Sequence, residues 1–162
     1  MISDYKNILY VSDLDKGSRP AFRAAVSLTK NYDAKLTYLH VVEKVSGTAK
    51  SLLNNMMDKQ EIEDFLKEGV NRLKEKAQRR VEKFCQEELQ ADSKLAPEQI
   101  DVMIAEGNAW KIILKVADEL NADLIVMGTR RNRSLDKLFL GSTATKVLNN
   151  TQRPIMVVPL TN

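Results

Sequence analysis

Asp123-Leu-Ile-Val-Met-Gly128-Thr-Arg-Arg131-Asn-Arg-Ser-Leu-Asp-Lys-Leu-Phe-Leu-Gly141-Ser142-Thr-Ala-Thr-Lys-Val147 reads as an apolar strand ending on one glycine, then a loop that reaches a helix through another. Leu124, Ile125, Val126 and Met127 form a short run with no polar alternation, the signature of a strand covered on both faces. Gly141 and Ser142 open an amphipathic segment, and the free N–H groups and dipole of a helix beginning there favour an anion. A strand delivering a glycine to the top of a sheet, followed by such a helix, is the layout of a phosphate site in an α/β fold.

Working outward, the rest of the chain alternates in the same way. Asn7 to Ser12 is a compact apolar run, and Asp13 to Pro20 carries turn and helix-start chemistry. From Pro20 the apolar positions Ala21, Ala25, Leu28 and Tyr32 recur every three or four residues, which predicts a helix. Asn31 and Asp33 stop it, and Lys35 to Val42 returns as a strand, so the first unit is a parallel crossover. Glu43 to Met57 lacks a clear period and contains Ser46-Gly47-Thr48 and Asn54-Asn55; it is expected to be a loop with some helical content.

A long helix is predicted from about Asp58 to Gln90. Ile62, Phe65, Leu66, Val70, Leu73, Ala77, Val81, Phe84, Cys85 and Leu89 form one stripe along it, read as core, among charges read as a solvated face. Gln99 to Ala105 makes a third strand, Trp110 to Leu120 a helix, Asp123 to Met127 the fourth strand and Pro154 to Leu160 the fifth. The expected fold is therefore α/β: one domain over residues 1–162, a doubly wound, open, five-stranded parallel sheet with helices on both faces.

Composition narrows the function. Lys and Arg total 25 against 22 Asp and Glu, a formal charge of +3, too small and too evenly spread to indicate nucleic-acid binding. One cysteine, Cys85, cannot form an internal disulfide, and one histidine, His40, cannot build a metal cluster with it. His40 lies in an apolar strand and reads as a packed residue, so no catalytic residue is assigned and no metal site is expected. No apolar run approaches a membrane span and none resembles a signal peptide, so the expectation is a cytoplasmic protein with no membrane partner.

The run from Gly128 to Thr143 resembles the nucleotide-binding signature of the universal stress protein family. In the ATP-binding branch of that family the pattern is Gly, two residues, Gly, nine residues, Gly, then Ser or Thr; Gly128, Gly141 and Ser142 fit the spacing, and the middle glycine is replaced by Arg131. The family commonly has a proline where Ala109 stands and a hydroxyl where Ala144 stands. The resemblance covers essentially the whole chain in element order and motif position. It implies an adenine-nucleotide site at the strand ends: Asp13 beside the adenosine, the Val41 backbone at the adenine edge, and Gly107 and Met127 at the ends of the next strands. Phosphate contacts would come from main chain and side chains around Gly128, Arg130, Gly141, Ser142 and Thr143.

Each of these residues has a simpler alternative: Asp13 as a helix cap, Gly128 as a tight turn, Gly141 as a helix start. Arg131 either grips phosphate with its cation or fills the space the phosphates need.

The resemblance further implies ATP or AMP as ligand, with Mg²⁺ as a possible companion. It points to a sensor or regulator in stress response, with at most slow ATP hydrolysis, and to a homodimer through antiparallel pairing of the last strand, Ile155 to Val158. The alternative within the same family is a dimeric interaction or scaffold protein that does not hold ATP.

Overall fold

The computed structural model describes residues 4–89, 95, 97–130 and 140–160. Five strands, β1 (Asn7–Val11), β2 (Lys35–Val42), β3 (Ile100–Glu106), β4 (Leu124–Arg130) and β5 (Ile155–Leu160), form one sheet in the order β3-β2-β1-β4-β5. Every neighbouring pair is parallel. The helices are α1 (Arg19–Tyr32), α2 (Gly47–Met56), α3 (Lys59–Glu88), α4 (Ala109–Glu119) and α5 (Ser142–Asn150). This is the doubly wound, five-stranded parallel architecture expected from the strand-helix alternation.

The sheet is covered on both faces, which explains why its strands read as continuous apolar runs. On one face α1 contributes Ala21, Phe22, Ala25 and Val26, and α3 contributes Ala77, Val81, Phe84 and Cys85. Phe22 stands at the centre of an aromatic cluster, with ring centroids 5.2 Å from Tyr10, 5.2 Å from Tyr38 and 4.6 Å from Phe84. On the other face Ile113, Val116 and Ala117 of α4 and Ala144 and Val147 of α5 pack on Leu9, Leu39, Ile125 and Met127. Burying each large side chain here contributes roughly 1.5–3 kcal/mol.

Local chemistry sets the element boundaries. α1 has a proline in its first turn and ends where Asp33 turns left-handed at φ 49°, as the Asn31 and Asp33 stop signal requires. α3 starts with a reciprocal capping box: the Glu61 N–H donates to the Asp58 carboxylate at 2.9 Å and the Asp58 N–H to the Glu61 carboxylate at 2.8 Å. The Asp123 carboxylate accepts from the backbone N–H groups of Lys6 and Asn7, both at 2.8 Å, and so ties the start of β1 to the start of β4.

Three features depart from the sequence reading. The segment after β2 is more ordered than expected, since Gly47–Met56 is a helix, capped by Ser46 through a 3.2 Å bond from the Ala49 N–H. The α3 stripe is core only in its second half. At 30 residues the helix runs about 45 Å, far beyond a strand of roughly 20 Å, and its first half buries Ile62 alone. Phe65 is 54% exposed. Finally, β4 continues through Arg130, which places Gly128 inside the strand rather than at its end. Among the described residues, no helix is long and apolar enough to cross a membrane.

Candidate functional site

A cavity of about 610 Å³ opens at the C-terminal ends of β1, β2 and β4. This is where the sheet order reverses: from β1 the chain first builds outward to β2 and β3, then crosses to β4 and β5 on the other side. The wall takes Ser12 and Asp13 from the end of β1, His40 and Val41 from β2, and Met127, Gly128 and Thr129 from β4. The start of α5 closes it with Gly141, Ser142 and Thr143. Seven sequence-predicted positions, Asp13, Val41, Met127, Gly128, Gly141, Ser142 and Thr143, therefore meet in one place.

One predicted position is placed otherwise. Gly107 does not line the cavity; it turns β3 into α4 at φ +145°, its N–H donating to the Val42 carbonyl at 2.9 Å. A Cβ there would come within 2.9 Å of Ile112, so glycine is required for the turn itself. Ala109, two residues on, reaches the cavity wall instead. Arg130 is the last residue of β4, while Arg131 and Arg133 lie outside the described residues.

The two motif glycines serve different ends. A Cβ on Gly128 would meet the Leu160 side chain at 2.5 and 2.8 Å, so this glycine makes room for a buried neighbour on β5. Among the described residues nothing lies within 4 Å of a Cβ added to Gly141, which sits at φ −51°, ψ 160°, a conformation open to any residue. Its missing side chain leaves the mouth of the cavity clear directly in front of α5. Gly141 is the N-cap and makes no side-chain cap bond. The N–H groups of the first helical turn have no acceptors within the helix and suit an oxyanion.

The loop after β1 is held by hydrogen bonds. The Ser12 N–H donates to the Leu39 carbonyl at 2.8 Å, its hydroxyl lies 2.7 Å from the Tyr38 hydroxyl, and the Leu14 N–H donates to that Ser12 oxygen at 3.0 Å. Leu14 is buried at φ +58°, a left-handed conformation that costs a branched residue of order 1 kcal/mol or more. This strained turn presents Asp13 at the surface, with its carboxylate accepting from the Asp15 N–H at 2.9 Å. Burial pushes the Tyr10 and Tyr38 phenols up, so both remain neutral hydrogen-bonding groups and not acids.

Sequence reasoning missed three wall residues. His40 was read as packed, yet it is half-buried on the cavity wall, with Nδ1 2.7 Å from the Ser12 carbonyl oxygen. A carbonyl only accepts, so Nδ1 is the donor of this bond. Ser12, at the strand end, is the hub of the loop's hydrogen bonds. Thr129 is 4% exposed, and its hydroxyl has no hydrogen-bond partner among the described residues. Its position one residue after the motif glycine was the available signal. No cluster of three or more metal-ligating side chains occurs among the described residues.

These features fit an anionic ligand with an extended polar body. The cavity falls within the roughly 300–1,000 Å³ of small-molecule sites. An open glycine precedes a helix N-terminus, and the buried Thr129 hydroxyl has no partner among the described residues.

Comparison with known proteins agrees with the architecture. The family model described as "Universal stress protein family" matches residues 4–159. Universal stress protein MJ0531 of Methanocaldococcus jannaschii is 30% identical, over 95% of this chain and 82% of that protein. Universal stress protein MJ0577 of the same organism is 24% identical over 98% of this chain and 97% of that protein. Its solved structure superposes with a TM-score of 0.67, covering 99% of each chain. A universal stress protein solved in complex with cAMP shares the fold at a TM-score of 0.60 and 18% identity, covering 98% of this chain and 100% of that one. With the match running through nearly every residue of the sheet and its helices, the chain belongs to the universal stress protein family.

Proposed function

We propose that this protein binds an adenine nucleotide, ATP or AMP, in the cavity at the strand ends and acts as a cytoplasmic sensor or regulator in stress response, binding rather than turning over its ligand. The observation that carries this reading is the convergence of Asp13, Val41 and the Gly141-Ser142-Thr143 helix start on one cavity of about 610 Å³. The exposed Asp13 carboxylate suits a ribose hydroxyl, and the Val41 backbone suits the edge of a base. The α5 N-terminus suits the phosphates. Thr129 and His40 add a hydroxyl and a ring nitrogen to the same wall. Mg²⁺ would neutralise phosphate charge, with Asp13 as the carboxylate able to hold it. The universal stress protein solved with cAMP supports a nucleotide as the ligand class.

The direct test is to denature the purified protein and assay the supernatant for released nucleotide, then titrate ATP, AMP, cAMP and GTP into nucleotide-free protein by calorimetry. Saturable binding of an adenine nucleotide, with GTP weaker, is the expected result. Failure of every nucleotide to bind would favour the second reading, a dimeric interaction or scaffold protein of the same family. Two observations support that alternative: Arg131 occupies the motif's middle glycine position, and β5 is an edge strand, with Met156 36% exposed. An edge with unpaired backbone groups suits pairing with a second copy through Ile155 to Val158 under either reading.

A further inference from the structure

The first half of α3 and the whole of α2 carry apolar side chains that the fold does not use. In α2, Ala49, Leu52, Leu53 and Met56 recur at i, i+3, i+4 and i+7, the spacing of a helix face made to be covered, yet no residue of the helix is buried. Leu52 is 59% and Met56 78% exposed. A ten-residue helix gains little from its own backbone, so an uncovered stripe is the opposite of what normally stabilises one. Beside it, Val42, Val45, Phe65, Leu66, Val70 and Leu73 line a groove of about 260 Å³ between the end of β2 and α3. That volume is below the usual range for a small-molecule site and suits the anchor side chains of a protein segment.

Charge at the groove identifies the occupant. Its lining contains three carboxylates, Glu43, Glu68 and Glu106, against one guanidinium, Arg72. Arg72 is already paired with Glu68 at 2.5 Å. Glu43 and Glu106 make no ion pair among the described residues, and the pairing of Val42 with Glu106 brings them to neighbouring strand ends. Two exposed carboxylates on neighbouring strand ends beside an apolar groove make a local negative field that a basic partner complements.

We infer that this groove docks a basic amphipathic helix of a partner protein, apolar anchors seated against Phe65 and Leu66 and Lys or Arg side chains meeting Glu43 and Glu106. A second copy of the chain is a poorer occupant, because a two-fold contact through this patch brings carboxylates toward carboxylates. The groove is separate from the nucleotide cavity: Val41 faces the cavity, while the adjacent Val42 faces the groove. The inference therefore stands whether or not a nucleotide binds.

The test uses the full-length protein and three fluorescein-labelled helical peptides of about 18 residues, sharing a leucine face at i, i+3, i+4 and i+7 and carrying Lys, Gln or Glu elsewhere. In fluorescence anisotropy the Lys peptide should saturate, the Gln peptide should bind about tenfold more weakly, and the Glu peptide should not saturate. Phe65→Ser, at an exposed position, should weaken the Lys peptide at least about tenfold with the melting temperature unchanged. Glu43→Gln combined with Glu106→Gln should abolish the preference for Lys over Gln. The inference is overturned if the Lys peptide fails to saturate, if wild type and Phe65→Ser bind it alike, or if the Glu peptide binds as tightly. It is also overturned if sedimentation shows an oligomer that Phe65→Ser dissociates, since a second copy then covers this face.

Discussion

Gly141→Asp should stabilise the protein and weaken its hold on ATP, two effects of opposite sign from one substitution. Gly141 is the N-cap of α5, already at φ −51°, ψ 160°, with no side-chain cap bond, and α5 has no acidic residue in its first turn. An added Cβ meets nothing within 4 Å among the described residues, so the change introduces no clash with them. The new carboxylate can accept from an N–H of the first turn and complement the dipole, a gain of about 0.5–1 kcal/mol over glycine. For a chain of this size that raises the melting temperature by roughly 2–4 °C per kcal/mol.

The same carboxylate stands where the phosphates are proposed to sit. Two unit charges about 5 Å apart repel by roughly 3 kcal/mol at an effective dielectric of 20, more than the 1.4 kcal/mol that a tenfold loss of affinity requires. Thermal melts of the nucleotide-free protein and calorimetric titration of ATP into both forms check the pair of effects. A raised melting temperature with unchanged ATP affinity would place the phosphates elsewhere. A lowered one would refute the open N-cap.

Gly128→Ala tests the other glycine. Its Cβ would press on the buried Leu160, so the variant should lose about 1 kcal/mol in urea unfolding before any ligand is added. Arg131→Gly should weaken ATP binding, more at low salt than at high, if the arginine grips the phosphates; tighter binding than wild type would show that it blocks them. Val157→Lys on the β5 edge should halve the mass seen by sedimentation at micromolar concentration, and an unchanged mass would exclude that strand as the dimer contact. Finally, hydrogen bonds first from Arg23 and then from Arg19 hold the Glu88 carboxyl at about 2, below its usual range. A depressed folded-state value contributes stability above about pH 4.5 that is lost as pH falls toward 2, so Glu88→Gln should flatten the acid limb of the stability curve.

The order of strands and helices was legible because the central strands are buried on both faces and α1, α4 and α5 on one, so burial writes itself into the sequence as runs and stripes. Most of the cavity wall was legible for a related reason. Asp13, Val41 and Gly141 stand at or beside strand ends and helix starts, positions that the alternation alone defines. What escaped depended on partners remote in sequence. Nothing near Gly128 announces that Leu160 fills the space beside it, and nothing in the apolar run of β2 shows that His40 turns to the Ser12 carbonyl. The α3 stripe shows how the same logic misleads. Period reveals which face is apolar but not where the sheet beneath it stops, and Phe65 and Leu66 lie past that limit. The stripe of α2 was visible in Ala49, Leu52, Leu53 and Met56, but Gly47 and the two asparagines hid it.

The pairing at the middle of the sheet also constrains how the molecule is made. β1 is hydrogen-bonded on one side to β2, which follows it closely, and on the other to β4, with Ile8 opposite Leu124. The Asp123 clamp on Lys6 and Asn7 spans the same long stretch of chain. While the protein is being synthesised, β1, β2 and β3 can assemble on α1 and α3, but one flank of the central strand stays bare until β4 has left the ribosome. Such a half-sheet exposes an apolar edge competent to pair with any other extended chain. Completion waits on closure of a loop of more than a hundred residues, the slow, high-contact-order step of the fold. A nascent chain stalled before Leu124 would be a target for chaperones or aggregation, and the last quarter of the sequence is what converts that edge into a core.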